Sequence, residues 1–511
     1  KIIAFLAQLE DFQKKLWLKK KFVVETQWCI RAGCIPEAFH AEIAANDAQR
    51  DEWVKLFAID EIQGDLMTPG YSKTLTAAFL KGHPTLVVDT RNFDAAFTAR
   101  LLESLGDVDA QTDGVLFHSE NFQALSLMQA RYREQVNCIY IDPPYNTGGD
   151  GFAYKDAYQH SSWISMLVDR IGSGYRLLAS DGALVMSIDD HEVERAKLSI
   201  SDLFGAENFL AQVVVQSNPR GRQSEAFIAT AHEYLLFAAK HVTECSIGGD
   251  RLTAVQTTEY DLTDERGEKY RLLGLRARGA ASRREDRPRL FYPIYVSPND
   301  STVSLEETLV HSVEVLPRKS DGTDGRWGWS PNKVKNELEC LQGGQVRGER
   351  WDVFVRDYLS EEKRRKPKSI WAEKQINYQN GKSTLRELFG DPPFEYPKPN
   401  LLLERVVAVF AEEDLAVLDF FSGSGTTGHA VINLNREDGD QRKFILVEMG
   451  DHFDTVLLPR IKKVTFSPEW KDGKPKRLAT LEEAERSPRI VKVVRLESYE
   501  DTLNNLETRR T

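Results

Sequence analysis

The sequence predicts an α/β protein: a mostly parallel sheet covered by helices on both faces and interrupted by a long insertion. Three observations carry this. From about 86 to 240, strand-like and helix-like runs alternate. Between about 243 and 385 the rhythm breaks into a stretch rich in Arg, Gly and Pro that holds Trp327, Trp329, Trp351 and Trp371. From about 398 the alternation returns.

Taken in order, residues 1 to about 85 read as helical, with apolar residues at helical spacing (Ile3, Leu6, Leu9, Phe12) and no catalytic pattern. This is expected to be an N-terminal helical module for a partner or for DNA backbone. "CIYI" (138–141) is a buried strand, and "SSWISMLVDRIGSGYRLL" (161–178) an amphipathic helix opening on Ser. "GALVMSI" (182–188) is a strand that runs into Asp189 and Asp190, which suit a cleft or the cap of the next helix. "NFLAQVVVQ" and "HEYLLFAAK" read as further strands, and His232 as structural. Beyond the insertion come a helix (400–411), the strand "LAVLDFF" (415–421), a glycine loop, a helix (426–434) and the strand "KFILVEM" (443–449). The expected domains are therefore 1–85, an α/β domain in two halves (86–242 and 386–460), the insertion 243–385, and a C-terminal extension 461–511.

At 511 residues the chain can bury a sizeable core without disulfides or metals. A composition 41% hydrophobic and 28% charged is that of a soluble globular protein, and no stretch approaches the ~20 apolar residues of a membrane span. The opening "KIIAFLAQLEDFQKKLWLKKK" is not a signal peptide, and the lack of an initial Met leaves open that residues precede it. Five scattered cysteines, with no zinc-like spacing around Cys29 and Cys34, suit a reducing cytoplasm and predict no metal site. A net charge of −11 argues against nucleic acid as a partner only if the basic residues are dispersed, and they are not. "KYRLLGLRARGAASRREDRPRL" (269–290) carries eight Lys or Arg against two acids, and "EEKRRKPK" (361–368) is a second basic run.

Two motifs carry chemistry. In "LDFFSGSGTTGHAVINLNR", Gly423, Gly425 and Gly428 let the backbone turn tightly where a strand meets a helix, whose first N–H groups can hold an anion. No Lys follows these glycines, which excludes a phosphate-binding P-loop. A dinucleotide turn is open, but its acid usually lies about 20 residues on, whereas Glu448 follows Asp419 by 29. S-adenosylmethionine fits better: its cationic groups favour Asp419, its carboxylate the helix start at Thr426 and Thr427, and its ribose Glu448. A plain tight turn also remains open from this motif alone. The other motif, "NCIYIDPPYNTGG" (137–149), ends a buried strand on Asp142, Pro143, Pro144 and Tyr145, an order that a simple turn does not require.

Together the two motifs resemble the amino-methyltransferases of DNA, which modify adenine N6 or cytosine N4. In that family an Asp at the first loop position, as in Asp142, implies adenine. The resemblance implies that the Asp142 carboxylate and the Pro143 carbonyl accept the amino hydrogens, localising the nitrogen lone pair toward the methyl carbon. Proline preorganises the loop, and Tyr145 offers a face for a base flipped out of the duplex. Neither a metal nor a covalent intermediate is required. The order of the motifs resembles the β-class. "DPPYNTGGDGFAYKD", "SWISMLVDR", "SIDDHEVERAK", "FEYPKPNLLLERVV" and "RLESYEDTLNNL" resemble the modification subunits of type III restriction systems. The implied fold is a Rossmann-like methyltransferase domain with an inserted target-recognition domain.

Residue by residue, the resemblance places the donor against Asp419, Phe421, Gly423, Gly425, Thr426 and Glu448, and against Lys398 and Pro399 of "YPKP". Asn146 and Thr147 help hold the catalytic loop. Where the family usually has Gly-Asp-Asn, this chain has Ser119, Glu120 and Asn121, so Glu120 becomes the acid near the donor's adenine. The insertion becomes the DNA reader, with Arg276, Arg278, Arg283, Arg284, Lys363, Arg364 and Arg365 on phosphates and its Trp residues forming a core. Double-stranded DNA is the expected substrate, and a homodimer and a restriction or other defence subunit are expected partners. Competing readings are an N4-cytosine or RNA methyltransferase, a catalytically idle DNA-recognition subunit, and an NAD-dependent oxidoreductase.

Overall fold

In the computed structural model, residues 6–8, 19–64, 69–147, 159–222, 227–251, 254–346, 350–360, 363–391, 394–410, 415–498 and 500–501 are described. The chain divides into two compact units: Lys1–Gly249 with Lys366–Thr511, and Asp250–Arg365.

An 11-stranded sheet organises the first unit. Its strands are β1 (Val23–Arg31), β2 (Val87–Asp89), β3 (Thr112–His118), β4 (Val136–Ile141), β5 (Leu178–Ile188), β6 (Phe209–Val215), β7 (Glu233–Ala239), β8 (Ile370–Trp371), β9 (Ala416–Asp419), β10 (Lys443–Glu448) and β11 (Ile490–Leu496). The order across the sheet is β8-β6-β7-β5-β4-β9-β10-β3-β11-β1-β2. The central strands from β5 to β11 pair in parallel. β7 runs antiparallel between β5 and β6, and β1 antiparallel between β11 and β2.

The alternation of side chains along β4 shows why its sequence is apolar throughout. Cys138 and Tyr140 enter one core while Ile139 and Ile141 enter the other, so both faces are covered. On the Ile139 face pack α1 (Asn121–Met128), α2 (His160–Tyr175) and α3 (Val193–Phe204). On the opposite face pack α4 (Tyr378–Phe389), α5 (Asn400–Ala408), α6 (Thr426–Asp438) and α7 (Leu458–Phe466).

β4 and β9 lie hundreds of residues apart in sequence yet pair directly, Val417 with Cys138 and Leu418 with Ile139. From this pair the chain proceeds outward in opposite directions, to β5 on one side and to β10 on the other. The carboxyl ends of strands at such a reversal border a crevice, the usual place for a ligand in an open α/β sheet.

Three expected boundaries are corrected. Residues 1–85 are not a separate helical module: "VVETQWCIR" is β1, rich in β-branched and aromatic residues, with Cys29 and Ile30 buried against β2 and β11. Helices do occupy Asp47–Phe57 and Ala77–Gly82, but the amphipathic run at 1–18 lies outside the described residues apart from 6–8. Nor is 461–511 an extension, because β11 sits inside the sheet between β3 and β1. A buried ion cluster, Lys462 with Asp89 (2.5 Å) and Glu52 (2.6 Å), fixes α7 to the early part of the chain. The insertion is also narrower than 243–385. β8 pairs with β6, and α4 packs on the sheet, so residues from 366 onward belong to the first unit.

The second unit, Asp250–Arg365, contains a four-stranded antiparallel sheet and a three-stranded one around Ile294–Val296. Trp327 is fully buried among Leu275, Ile294, Val296 and Val353, and donates its indole N–H to the Tyr292 carbonyl at 2.8 Å. Trp329 and Trp351 pack against the same core. Trp371 is fully buried too, but in the first unit. Among the described residues, no helix is long and apolar enough to cross a membrane.

Candidate active site

β4 ends at Ile141 and β9 at Asp419, so the pairing of these strands sets the Asp142 loop beside the glycine loop. Both face an open cleft of about 310 Å³, lined by Asp142, Lys398, Asp419, Phe421, Gly423 and Thr426 and walled on one side by Phe394 and Tyr396.

The Asp142 loop is held from below. Trp163 of α2 is fully buried and donates its indole N–H to the Pro144 carbonyl at 2.7 Å. Asn146 adopts a left-handed backbone, φ 62°, and donates to the buried Glu192 at 2.7 Å. The Pro143 carbonyl takes no hydrogen bond among the described residues, which leaves it free as an acceptor.

Lys398 lines the same cleft as Asp419 and Gly423, and it also reaches the Asp142 loop. Its ammonium lies 3.2 Å from Asp142 Oδ1 and 2.8 Å from Glu233 Oε2, and donates to the Tyr145 hydroxyl at 2.5 Å. Glu233, the first residue of β7, also accepts from the hydroxyls of Tyr145 (2.9 Å) and Tyr378 (2.6 Å). Its other oxygen, Oε1, is buried with no partner among the described residues. Two carboxylates thus share one ammonium. Burial pushes the Asp142 carboxyl above the usual carboxylate range; Lys398 pulls it back, and Glu233 pushes it up again. Burial opposes the Lys398 charge, yet Asp142 and Glu233 hold that ammonium well above its ordinary value. Tyr145 is consequently anchored at its hydroxyl, with the ammonium 4.9 Å from its ring centre.

The glycine loop needs its glycines for conformation and for space. Gly423 and Gly425 have φ of 51° and 79°, and a Cβ on Gly425 would meet Leu457 at 3.1 Å. Asp419 accepts from the Phe421 N–H (3.0 Å) and the Thr427 hydroxyl (2.5 Å). Burial raises its carboxyl to about 7. Such a carboxylate is poised for a cation brought by a ligand. Thr426 opens α6, and Pro399 precedes α5 as its N-cap.

Three expected ligand contacts are engaged within the protein. Glu448 Oε2 accepts from the Gly423 N–H (2.9 Å), and Oε1 from those of Met449 (2.7 Å) and Gly450 (2.8 Å). It shapes the glycine loop. Glu120 caps α1 and pairs with Arg170 at 2.5 Å, and Asn121 bridges Arg170 to the Phe420 carbonyl (3.0 Å). These two bind the helix layer to the end of β9 and do not reach the cleft lining. Asp189 accepts from the His191 N–H within its own turn, and Asp190 from the Tyr234 hydroxyl of β7.

In the second unit, several expected phosphate contacts are engaged internally. Arg284 pairs with Asp324 (2.9 Å), Arg365 with Glu259 (2.8 Å) and Lys363 with Asp357. Arg276 donates to the Arg318 carbonyl at 2.5 Å, and Arg364 lies in a short strand paired with Asp250–Arg251. Arg278 and Arg283 are exposed, with no ion pair among the described residues.

Sequence reasoning missed Glu233 and Tyr378. The signal available was an acid heading the apolar run "EYLLFAA", where a charge has to be paired.

An acceptor loop and a donor loop on neighbouring strand ends, with a cationic and an anionic group between them, define a group-transferring α/β enzyme. The DNA methylase family model, of the N6/N4 type, matches residues 136–456, and the chain belongs to that family. It is 33% identical over 361 residues to the type II methyltransferase M.KpnI of Klebsiella pneumoniae, covering 68% of this chain and 83% of that protein. It is 30% identical over 374 residues to the type III restriction-modification enzyme EcoPI Mod subunit of Escherichia phage P1, covering 66% of this chain and 58% of that one. The chain spans only about half the length of this and the other type III relatives. Among solved structures, the PvuII DNA methyltransferase, described as cytosine-N4-specific, aligns over 77% of this chain and 94% of its own, at 11% identity and a TM-score of 0.37. So loose a likeness decides neither fold nor target base.

Proposed function

We propose that this DNA methyltransferase transfers a methyl group from S-adenosylmethionine to N6 of an adenine flipped out of double-stranded DNA, within a restriction-modification system. The observation that carries the reading is the placement of Asp142 across one cleft from Asp419 and the glycine loop, next to a Pro143 carbonyl that takes no hydrogen bond among the described residues.

S-adenosylmethionine, when bound, supplies an electrophilic methyl group. The residues fit it: a buried carboxylate at Asp419 suits its cationic end, and the first turn of α6 suits its carboxylate. The chain's own groups do the rest. Asp142 and the Pro143 carbonyl accept the two hydrogens of the exocyclic amine, so that its lone pair is directed toward the donor. Lys398, 3.2 Å from Asp142 Oδ1, favours the ionised form of Asp142, which is the acceptor. Asp142 is also placed to take the proton that the nitrogen loses as the C–N bond forms. Tyr145, fixed by Glu233 and Lys398, presents its ring to the base. The second unit supplies sequence reading, and its exposed arginines suit phosphates. DNA as substrate and cysteines outside any disulfide favour the cytoplasm. A restriction subunit and a second copy are the partners suggested by the relatives.

The test is Asp142→Ala. Methyl transfer is abolished while DNA and donor binding persist. Methylation surviving in that variant overturns the proposed mechanism.

A further inference from the structure

Beneath the glycine loop lies a cation that the mechanism above does not use. Arg460 of α7 is fully buried, 0% exposed. Its Nη1 donates to the Ser424 hydroxyl (2.9 Å), the Ser424 carbonyl (3.3 Å) and the Thr426 hydroxyl (3.0 Å). Its Nη2 donates to Asn400 Oδ1 at 2.7 Å, and its Nε to His429 Nδ1 at 3.2 Å. Every one of these acceptors is neutral. The imidazole accepts at Nδ1, and burial together with the guanidinium holds its basicity well below normal. No carboxylate pairs with Arg460 among the described residues. Burial alone lowers its basicity, to about 9, so it remains charged at neutral pH.

A buried charge without a counter-ion is costly. The neutral acceptors offset only part of that cost and no carboxylate does so among the described residues, but the cleft is one residue away, because Ser424 and Thr426 both line it. The guanidinium also fixes which way those hydroxyls point. Each hydroxyl has a single hydrogen. Since both oxygens accept from Arg460, neither hydrogen can be directed back at it. The two oxygens lie 3.3 Å apart, so at most one hydrogen serves their mutual contact. The other is left for the Lys398 carbonyl, at a long 3.3 Å, or for an anion in the cleft. The positive end of α6 acts at the same place.

We infer that Arg460 is a positioning residue for the donor's carboxylate. It supplies the countercharge and, through Ser424 and Thr426, the hydroxyl donors that bind that group. This rests on S-adenosylmethionine being the donor, and the carboxylate is the part of the donor that Arg460 recognises.

The test compares S-adenosylmethionine with its decarboxylated analogue by calorimetry, on the whole protein. In the wild type, S-adenosylmethionine binds the more tightly. Arg460→Met weakens S-adenosylmethionine by roughly 10- to 100-fold, the range of a charge-assisted contact, and leaves the analogue nearly unchanged. Arg460→Lys recovers part of the loss. Equal weakening of both ligands, or of neither, overturns the inference. If Arg460→Met does not fold, Ser424→Ala carries the test, with a smaller loss confined to S-adenosylmethionine; equal loss for both ligands again overturns it. A wild type that binds both ligands equally defeats this inference alone. A wild type that binds neither defeats the donor assignment, and this inference with it.

Discussion

Replacing Lys398 with Met moves the acid limb of the pH–rate profile toward higher pH. Lys398 lies 3.2 Å from Asp142 Oδ1, and the Asp142 side chain is 25% exposed. At an effective dielectric near 20, a pair at that distance attracts by about 5 kcal/mol, an upper bound because water reaches one side of the carboxylate. An opposite charge so placed lowers a carboxyl by roughly one to three pKa units. The sign follows directly. Burial already raises Asp142 and Lys398 opposes that rise, so its loss raises Asp142 further. Activity, which needs the ionised form, then disappears at a correspondingly higher pH. Glu233→Gln acts oppositely, because it removes the like charge that raises Asp142, and so shifts the limb to lower pH. The double variant Lys398→Met/Glu233→Gln leaves no buried unpaired carboxylate at 233 and guards against a simple loss of folding. The assay is single-turnover methyl transfer from labelled S-adenosylmethionine between pH 5 and 9. Limbs that move together in the two single variants, or do not move, refute the assignment of Lys398 and Glu233 to Asp142.

Donor affinity weakens as pH falls through about 7, where burial places the Asp419 carboxyl, because the protonated acid no longer attracts a cation. Asp419→Asn removes that dependence, as calorimetry from pH 5.5 to 8 would record. Lys462→Met leaves the buried Asp89 and the part-buried Glu52 with only the longer ion pairs to Arg91 (3.7 and 3.9 Å) among the described residues and lowers stability, by at most roughly 3–5 kcal/mol, read as an earlier denaturant midpoint. Arg278→Ala and Arg283→Ala each weaken DNA binding and reduce the slope of log K against log salt by about one. Donor affinity is unchanged in both.

The chemistry was more legible in the sequence than the edges of the sheet. "DPPY" and "SGSG" each announced a strand end with an unusual polar sequel, and the structure brings both to one cleft. The strands β1 and β11 were misread because an amphipathic run just ahead of the first, and charged residues within the second, masked their apolar pattern. They pair antiparallel; Glu25 is exposed in β1, while Lys492 and Arg495 are half-buried in β11, whose other residues are buried. The buried ionic partners were the least legible. Lys398 was noticed as part of "YPKP", but its distance from Asp142 depends on how β7, β4 and the segment ahead of α5 converge. Arg460 sits in "LPRIKKVTF", where two neighbouring lysines make it look like one more solvated charge.

The central claim is that the two loops form one site for methylating an adenine amine. It is tested most directly by incubating the protein with labelled S-adenosylmethionine and unmethylated double-stranded DNA, digesting the DNA and identifying the labelled nucleoside. The account predicts N6-methyladenine. Label in N4-methylcytosine would contradict the base assignment, and the absence of label despite measured donor and DNA binding would contradict the catalytic one.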